Sequence, residues 1–173
     1  MSPYRPDLVD CWMFRVPLTA RGVERPEVLL LRRSAAKTLL PGLWQCVSGT
    51  LEADERVAVG ALRELAEETG FASAAIEAFY DLDLVNQFHE PSVDAVMVSA
   101  VFAVRVRADA EPVLSTEHDA ARWLPVDEAH DAVVWPAYRT AIERIRDDLA
   151  DPGRAAWFEL TLDGQRKPRA ARW

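Results

Sequence analysis

The stretch DERVAVGALRELAEETGF, from Asp54 to Phe71, constrains the fold more than any other segment of the chain. It reads as one helix that Asp54 caps, that Glu55 and Arg56 open, and that stops before Gly70, the residue type that best takes the left-handed position after a helix. On a wheel of roughly 100° per residue, with Glu64 at zero, Glu67 falls near 300° and Glu68 near 40°. Three carboxylates thus share one arc. Ala58, Ala61, Leu62, Leu65 and Thr69 form an apolar stripe beside it, so one side of the helix can be buried while its neighbour presents oxygen ligands to a cleft. Like charges at these spacings cost roughly a few tenths of a kcal/mol per pair in an isolated helix, and something should offset them. Gly60 lies on the same arc one turn earlier, where glycine costs about 1 kcal/mol relative to Ala and leaves room for an approaching group. Hard divalent cations such as Mg²⁺ take carboxylate oxygens, with water and substrate phosphate completing the shell. The alternative reading of the same pattern is a solvated acidic face.

Around this helix the chain alternates strands and helices without a regular βαβ rhythm. Leu8 to Val16 and Glu27 to Leu31 are rich in β-formers and read as strands joined by a polar turn around Arg21 and Gly22. Pro41 and Gly42 punctuate the chain before a short strand, Leu43 to Ser48. Phe79 to Phe88 and Val93 to Val106 read as a hairpin turning at His89 to Ser92, and Ala121 to Leu124 as a further strand. Helical pattern follows over Val126 to Val133 and Pro136 to Leu149; Ala141, Ile142, Ile145 and Leu149 recur on one face. These features predict an α/β fold, a mixed β-sheet sandwiched between α-helices, over residues 1–153. Residues 154–173 form a basic extension with Arg154, Arg166, Lys167, Arg169 and Arg172 against Glu159 and Asp163. It reads as a solvated, partly disordered tail, or as an edge strand or subunit contact over Ala156 to Leu162.

Charge narrows the partners. With 20 Lys+Arg against 28 Asp+Glu in 173 residues, the formal net charge is −8. This predicts no binding to nucleic acid or to an anionic membrane, since either polyanion is repelled, and requires a local basic patch or a cation for any phosphorylated ligand. No apolar run reaches the ~20 residues that span a bilayer, and MSPYRPDLVD lacks the order of a secretory signal, so a cytoplasmic protein is expected. Cys11 and Cys46 are too few for a disulfide framework and read as small buried apolar residues.

The segment Gly49 to Phe71 resembles the Nudix family in full: Gly49, five residues, Glu55, seven residues, Arg63-Glu64-Leu65, one residue, Glu67-Glu68, one residue, Gly70 and apolar Phe71. The likeness extends to LWQCVSGTLE and to EHDAARWLP around Glu117 and Trp123, which are similar to the nucleoside-triphosphate and dihydroneopterin-triphosphate pyrophosphohydrolases of that family. The resemblance implies the Nudix fold and a loop, helix and loop that hold Mg²⁺ or Mn²⁺. Glu64, Glu67 and Glu68 would be ligands, with the backbone carbonyl of Gly49 beside them. Arg63 and Glu55 would brace the loop and orient the ligands, and Gly70 would close the helix. Glu117 would be a further ligand or the base, and the general base stays open among Glu67, Glu68 and Glu117.

The implied reaction is attack of water on a phosphoanhydride of a small phosphorylated substrate. Arg33 is the candidate phosphate contact and Trp44 a candidate wall for a ring, with Phe79, Phe88 and Trp123 as others. Markers of ADP-ribose, diadenosine polyphosphate and NADH hydrolases are missing after the box, which leaves a nucleoside triphosphate or a related compound as the expected substrate. Two alternatives share the fold: a module that senses a nucleotide without cleaving it, and an isomerase of the isopentenyl-diphosphate type, for which Cys46 would be the candidate cysteine. Homodimers are common among similar proteins.

Overall fold

The computed structural model describes residues 4–17 and 25–168. The turn expected around Arg21 and Gly22 lies outside them, as do Arg169 and Arg172. Among the described residues eight strands form one mixed sheet: β1 (Tyr4–Arg15), β2 (Glu27–Arg33), β3 (Trp44–Gln45), β4 (Val47–Thr50), β5 (Ile76–Glu90), β6 (Ala95–Val106), β7 (His118–Pro125) and β8 (Glu159–Leu160). The order runs β3-β2-β1-β6-β5-β8, with β4 on β1 and β7 on β2. The β1–β6 pair is parallel and the other pairs are antiparallel. Helix α1 (Val57–Thr69) covers one face, while α2 (Val126–Ala132) and α3 (Pro136–Arg144) cover the other.

Strand β1 explains why the sheet needs helices on both sides. Val9, Cys11 and Met13 enter the core under α1, whereas Trp12 and Phe14 enter the core under α2 and α3. From Leu8 to Phe14 its sequence is therefore almost continuously apolar instead of alternating. Both cysteines are buried and free. Asp10 is the polar exception between Leu8 and Phe14; its carboxylate accepts from Asn86 Nδ2 at 2.7 Å, and burial raises its pKa. From α3 the chain continues through a wider helical turn, Ile145–Leu149, and the expected apolar face of Ala141, Ile142, Ile145 and Leu149 is buried.

Two local expectations need correction. The single strand expected over Leu43 to Ser48 is two strands, because β1 and β2 pair only over Met13–Arg15 and Glu27–Leu29. Beyond that they diverge: β3 pairs with Leu31 and Arg32, and β4 pairs with Leu8 to Cys11. This sets Gly49 opposite Val9, on the part of β1 that β2 has left. Asp54 does not cap α1: it sits in the loop at φ +62, and the cap position is Arg56 without a side-chain hydrogen bond.

Gly70 is the left-handed residue after α1, with φ +70 and its N–H donating to Ala66 O at 2.9 Å. A Cβ there would also meet Val113 Cβ at 3.3 Å. Gly70→Ala should therefore cost about 1–2 kcal/mol, read as a lower midpoint of chemical unfolding. An unchanged midpoint would refute the conformational argument.

Residues beyond 153 pack onto the sheet. A short helix, α4 (Pro152–Ala155), leads into β8, which pairs Leu160 with Phe79 and Glu159 with Tyr80. The chain then turns back, so that Gly164 packs on Ala58 of α1 and Arg166 Nη2 donates to Asp81 Oδ2 at 3.0 Å. Among the described residues, no helix is long and apolar enough to cross a membrane.

Candidate active site

The site forms where α1 meets β4, the end of β2 and the loop before β7. Gly49 on β4 lies directly under the carboxylate of Glu64, and any Cβ at that position would overlap Glu64 Cδ. Glycine is required here so that the Gly49 backbone and the Glu64 carboxylate can share one place. Gly60 serves a similar purpose one turn earlier on the helix. A Cβ there would meet Leu51 Cδ2 at 2.5 Å and Glu55 Oε2 at 2.8 Å, so the group that the missing side chain admits is the preceding loop itself.

Arg63 organises that loop. Its Nε and Nη2 donate to the two oxygens of Glu55, each at 2.9 Å, Nη2 also donates to Thr50 O at 3.0 Å, and Nη1 donates to Glu64 Oε1 at 2.9 Å and Glu67 Oε2 at 3.2 Å. Glu55 additionally accepts from the Glu52 N–H at 3.0 Å. The guanidinium hydrogen bonds hold the Glu55 carboxyl down at about 2. A planar five-donor fork can serve three carboxylates and a carbonyl together; an ammonium cannot.

Glu68 differs from its two neighbours. It is only 4% exposed, and its Oε2 is buried without a hydrogen-bond partner. Burial above all, then the charges of Glu117 and Glu64, push its pKa up to about 8, while Arg33 and Lys37 pull it the other way. Glu117 lies in the loop before β7 and pairs with Lys37 Nζ at 2.8 Å. Arg33 ends β2 and donates from Nε to Leu39 O at 3.0 Å; its backbone closes the 34–43 loop through bonds with Leu43 and Gly42. His118, buried at the start of β7, places Nδ1 3.5 Å from Glu68 Oε2.

Most residues singled out in the sequence therefore gather here: Gly49, Glu55, Arg63, Glu64, Glu67, Glu68, Glu117 and Arg33. Trp44 packs partly buried against the core under α2 and α3, with the Arg122 and Arg32 guanidinium groups at 5.0 and 5.8 Å from its ring. Phe79 is core, stacked on Phe102, and Trp123 lies beneath Arg15. Lys37 and His118 were not foreseen. His118 had one signal, its place next to Glu117; Lys37 had none, because its approach depends on how the 34–43 loop folds back.

Among the described residues, no three His, Cys, Asp or Glu side chains converge tightly enough to enclose a cation as they stand. Glu64 and Glu67 turn toward Arg63. The donor set nonetheless fits a hard divalent cation: all are oxygens, Glu68 has a buried oxygen without a partner, and Glu64 and Glu117 crowd like charge around it.

Comparison with known proteins decides the family, since the NUDIX domain matches residues 14–145. The chain belongs to the Nudix family. A Nudix hydrolase structure from Listeria monocytogenes superposes with a TM-score of 0.67 at 23% identity, covering 84% of this chain and 95% of that one. The Escherichia coli dihydroneopterin triphosphate pyrophosphohydrolase does so with a TM-score of 0.62 at 21% identity, covering 84% and 95%. At these identities the likeness is one of Nudix fold. A Myxococcus xanthus protein named octanoyltransferase is 36% identical over 126 residues, which are 72% of this chain and 33% of that protein. The chain thus matches about a third of that relative's length. Nudix proteins are usually pyrophosphohydrolases that work with divalent metals, and the Nudix segment here is the loop, α1 and Gly70 described above.

Proposed function

We propose that this Nudix domain hydrolyses a phosphoanhydride bond in a nucleoside triphosphate or a related nucleoside diphosphate-linked substrate, with Mg²⁺ or Mn²⁺. The observation that carries the proposal is Glu68, a buried carboxylate with an unpartnered oxygen, set among Glu64, Glu117, Arg33 and Lys37. Such a group gains most from a cation beside it. Glu64, Glu67, Glu68 and the Gly49 carbonyl would hold the ion. When bound, it would neutralise charge on the phosphate oxygens and acidify the attacking water.

The protein's own groups do the rest. Arg63 and Glu55 keep the loop on the helix, so that Gly49 and Glu64 stay together. Arg33, with Lys37 on the same side of the acids, binds phosphate oxygens and offsets the repulsion between a highly charged substrate and an acidic chain. One of Glu67, Glu68 and Glu117 accepts the proton of the attacking water. All the box carboxylates are retained, which favours cleavage over sensing, and Cys46 is buried with its thiol pKa raised well above normal, which does not favour an isomerase. The acyl transfer in the name of the Myxococcus xanthus relative belongs to a much longer protein and does not enter this proposal.

A screen of nucleoside triphosphates, nucleotide sugars, dinucleoside polyphosphates and dihydroneopterin triphosphate with Mg²⁺ or Mn²⁺, read by chromatography, should show cleavage of at least one, a triphosphate giving a monophosphate and pyrophosphate and a diphosphate-linked compound giving two phosphate esters, and chelation should abolish it. No cleavage of any of them with either ion would defeat the proposal. On the substrate found, Arg33→Ala should lower kcat/KM roughly tenfold or more, the expected loss of a charged hydrogen bond to phosphate.

A further inference from the structure

Glu68 and His118 face each other at the site, and among the described residues Glu68 Oε2 and both imidazole nitrogens have no hydrogen-bond partner; the backbone around them shows that this is built in. His118 opens β7 at a one-residue irregularity: Arg32 pairs with Ala120 and Arg33 with His118, so Asp119 is the extra residue. Such a bulge re-aims side chains, a device common beside active sites. Asp119 is turned outward, where it binds Arg32 at 2.6 Å, and His118 is turned inward beside Glu68.

The spacing between His118 and Glu68 is fixed from both ends. The Val113 N–H donates to Thr69 O at 2.8 Å and the Ser115 N–H to Glu68 O at 3.0 Å, lacing the loop before β7 onto the last turn of α1. Ser34 N–H holds Glu117 O at 2.8 Å on the other side. Within this frame the His118 side chain is 1% exposed and the Glu68 side chain 5%. Both imidazole nitrogens and Glu68 Oε2 are buried without a hydrogen-bond partner, at an Nδ1 to Oε2 separation of 3.5 Å. A small closing movement makes this a hydrogen bond.

We propose that His118 is a positioning residue whose Nδ1–H holds Glu68 by Oε2, fixing the carboxylate so that its other oxygen serves the cation. The proposal rests on the metal-dependent hydrolysis proposed above. It assigns to His118 the orienting role that hydrogen-bonded neighbours of metal-bound carboxylates commonly have.

The test is Mn²⁺ titration of the metal-depleted full chain without substrate, followed by electron paramagnetic resonance. Asn places its amide nitrogen where Nδ1 lies, Gln reaches instead toward the Nε2 position, and Leu supplies no donor. His118→Asn should bind Mn²⁺ within about threefold of wild type, whereas His118→Gln and His118→Leu should bind roughly 10–100-fold more weakly. Thermal unfolding of the metal-free variants checks that each is folded. Wild-type Mn²⁺ affinity in a folded Gln or Leu variant overturns the proposal, as does an Asn variant that loses as much as they do, since His118 would then only fill space. Failure of the wild-type chain itself to bind Mn²⁺ is a different result, and it removes the metal-dependent reaction along with this role.

Discussion

Glu68→Gln is expected to lower turnover by roughly 10²–10⁴-fold while leaving the protein folded. The substitution removes a charge at the proposed cation site and almost no volume. It also imitates the state that the metal-free protein prefers, because burial pushes the Glu68 carboxyl up to about 8 from an ordinary 4.5. The sign of the stability effect follows. Between those values the native state keeps a proton that the unfolded chain has released, so the contribution of Glu68 to the stability of the metal-free protein is greatest below 4.5 and is lost as pH climbs toward about 8. In Glu68→Gln that decline should flatten. Steady-state hydrolysis, together with melting temperatures of chelator-treated protein across this window, checks both statements. Turnover within a few-fold of wild type would remove Glu68 from the reaction, and an undiminished slope would place the titration on another group.

Arg63→Ala should be the next most damaging change, with a loss of roughly 10–100-fold in metal affinity and activity. Arg63 touches Glu55, Glu64, Glu67 and the Thr50 carbonyl at distances of 2.9 to 3.2 Å, so its removal releases the loop from the helix and leaves Glu64 and Glu67 without the cation that spaces them. Arg63→Lys should recover little, because one ammonium cannot replace the two parallel bonds to Glu55. Mn²⁺ titration separates this from simple unfolding. A lysine variant with wild-type affinity would show that charge alone suffices and that the fork geometry is incidental.

These two residues also mark how far the sequence was legible. Glu64, Glu67 and Glu68 lie within five residues on one helix, and local spacing determines which arc they occupy. The wheel therefore located the acidic face, Gly70 ended the helix as expected, and the box resemblance identified the family. What spacing does not carry is the division of labour along that arc. Glu64 and Glu67 turn to Arg63, whereas Glu68 turns inward, because Glu68 is the one next to β7 and the loop before it. His118 and Lys37 come from segments distant in sequence, brought near by the bulge at Asp119 and the fold-back of the 34–43 loop. The split of Leu43 to Ser48 into β3 and β4 has a similar origin. Its residues are good β-formers throughout, but which neighbour each one pairs with depends on the divergence of β1 from β2, a property of the whole sheet. Asp54 shows the converse: a favoured capping residue was displaced because Glu55 is committed to Arg63.

The packing of β8 on β5 bears on how this chain should be handled in the laboratory. Glu159 and Leu160 occupy the outer rim of the sheet alongside Tyr80 and Phe79, and Phe158 O accepts from the Asp81 N–H at 3.0 Å. A version shortened before Phe158 would bare hydrogen-bonding backbone next to two aromatic residues, a template onto which other extended chains can add. Its principal defect should be clumping on concentration, even where the chemistry at the glutamates is intact.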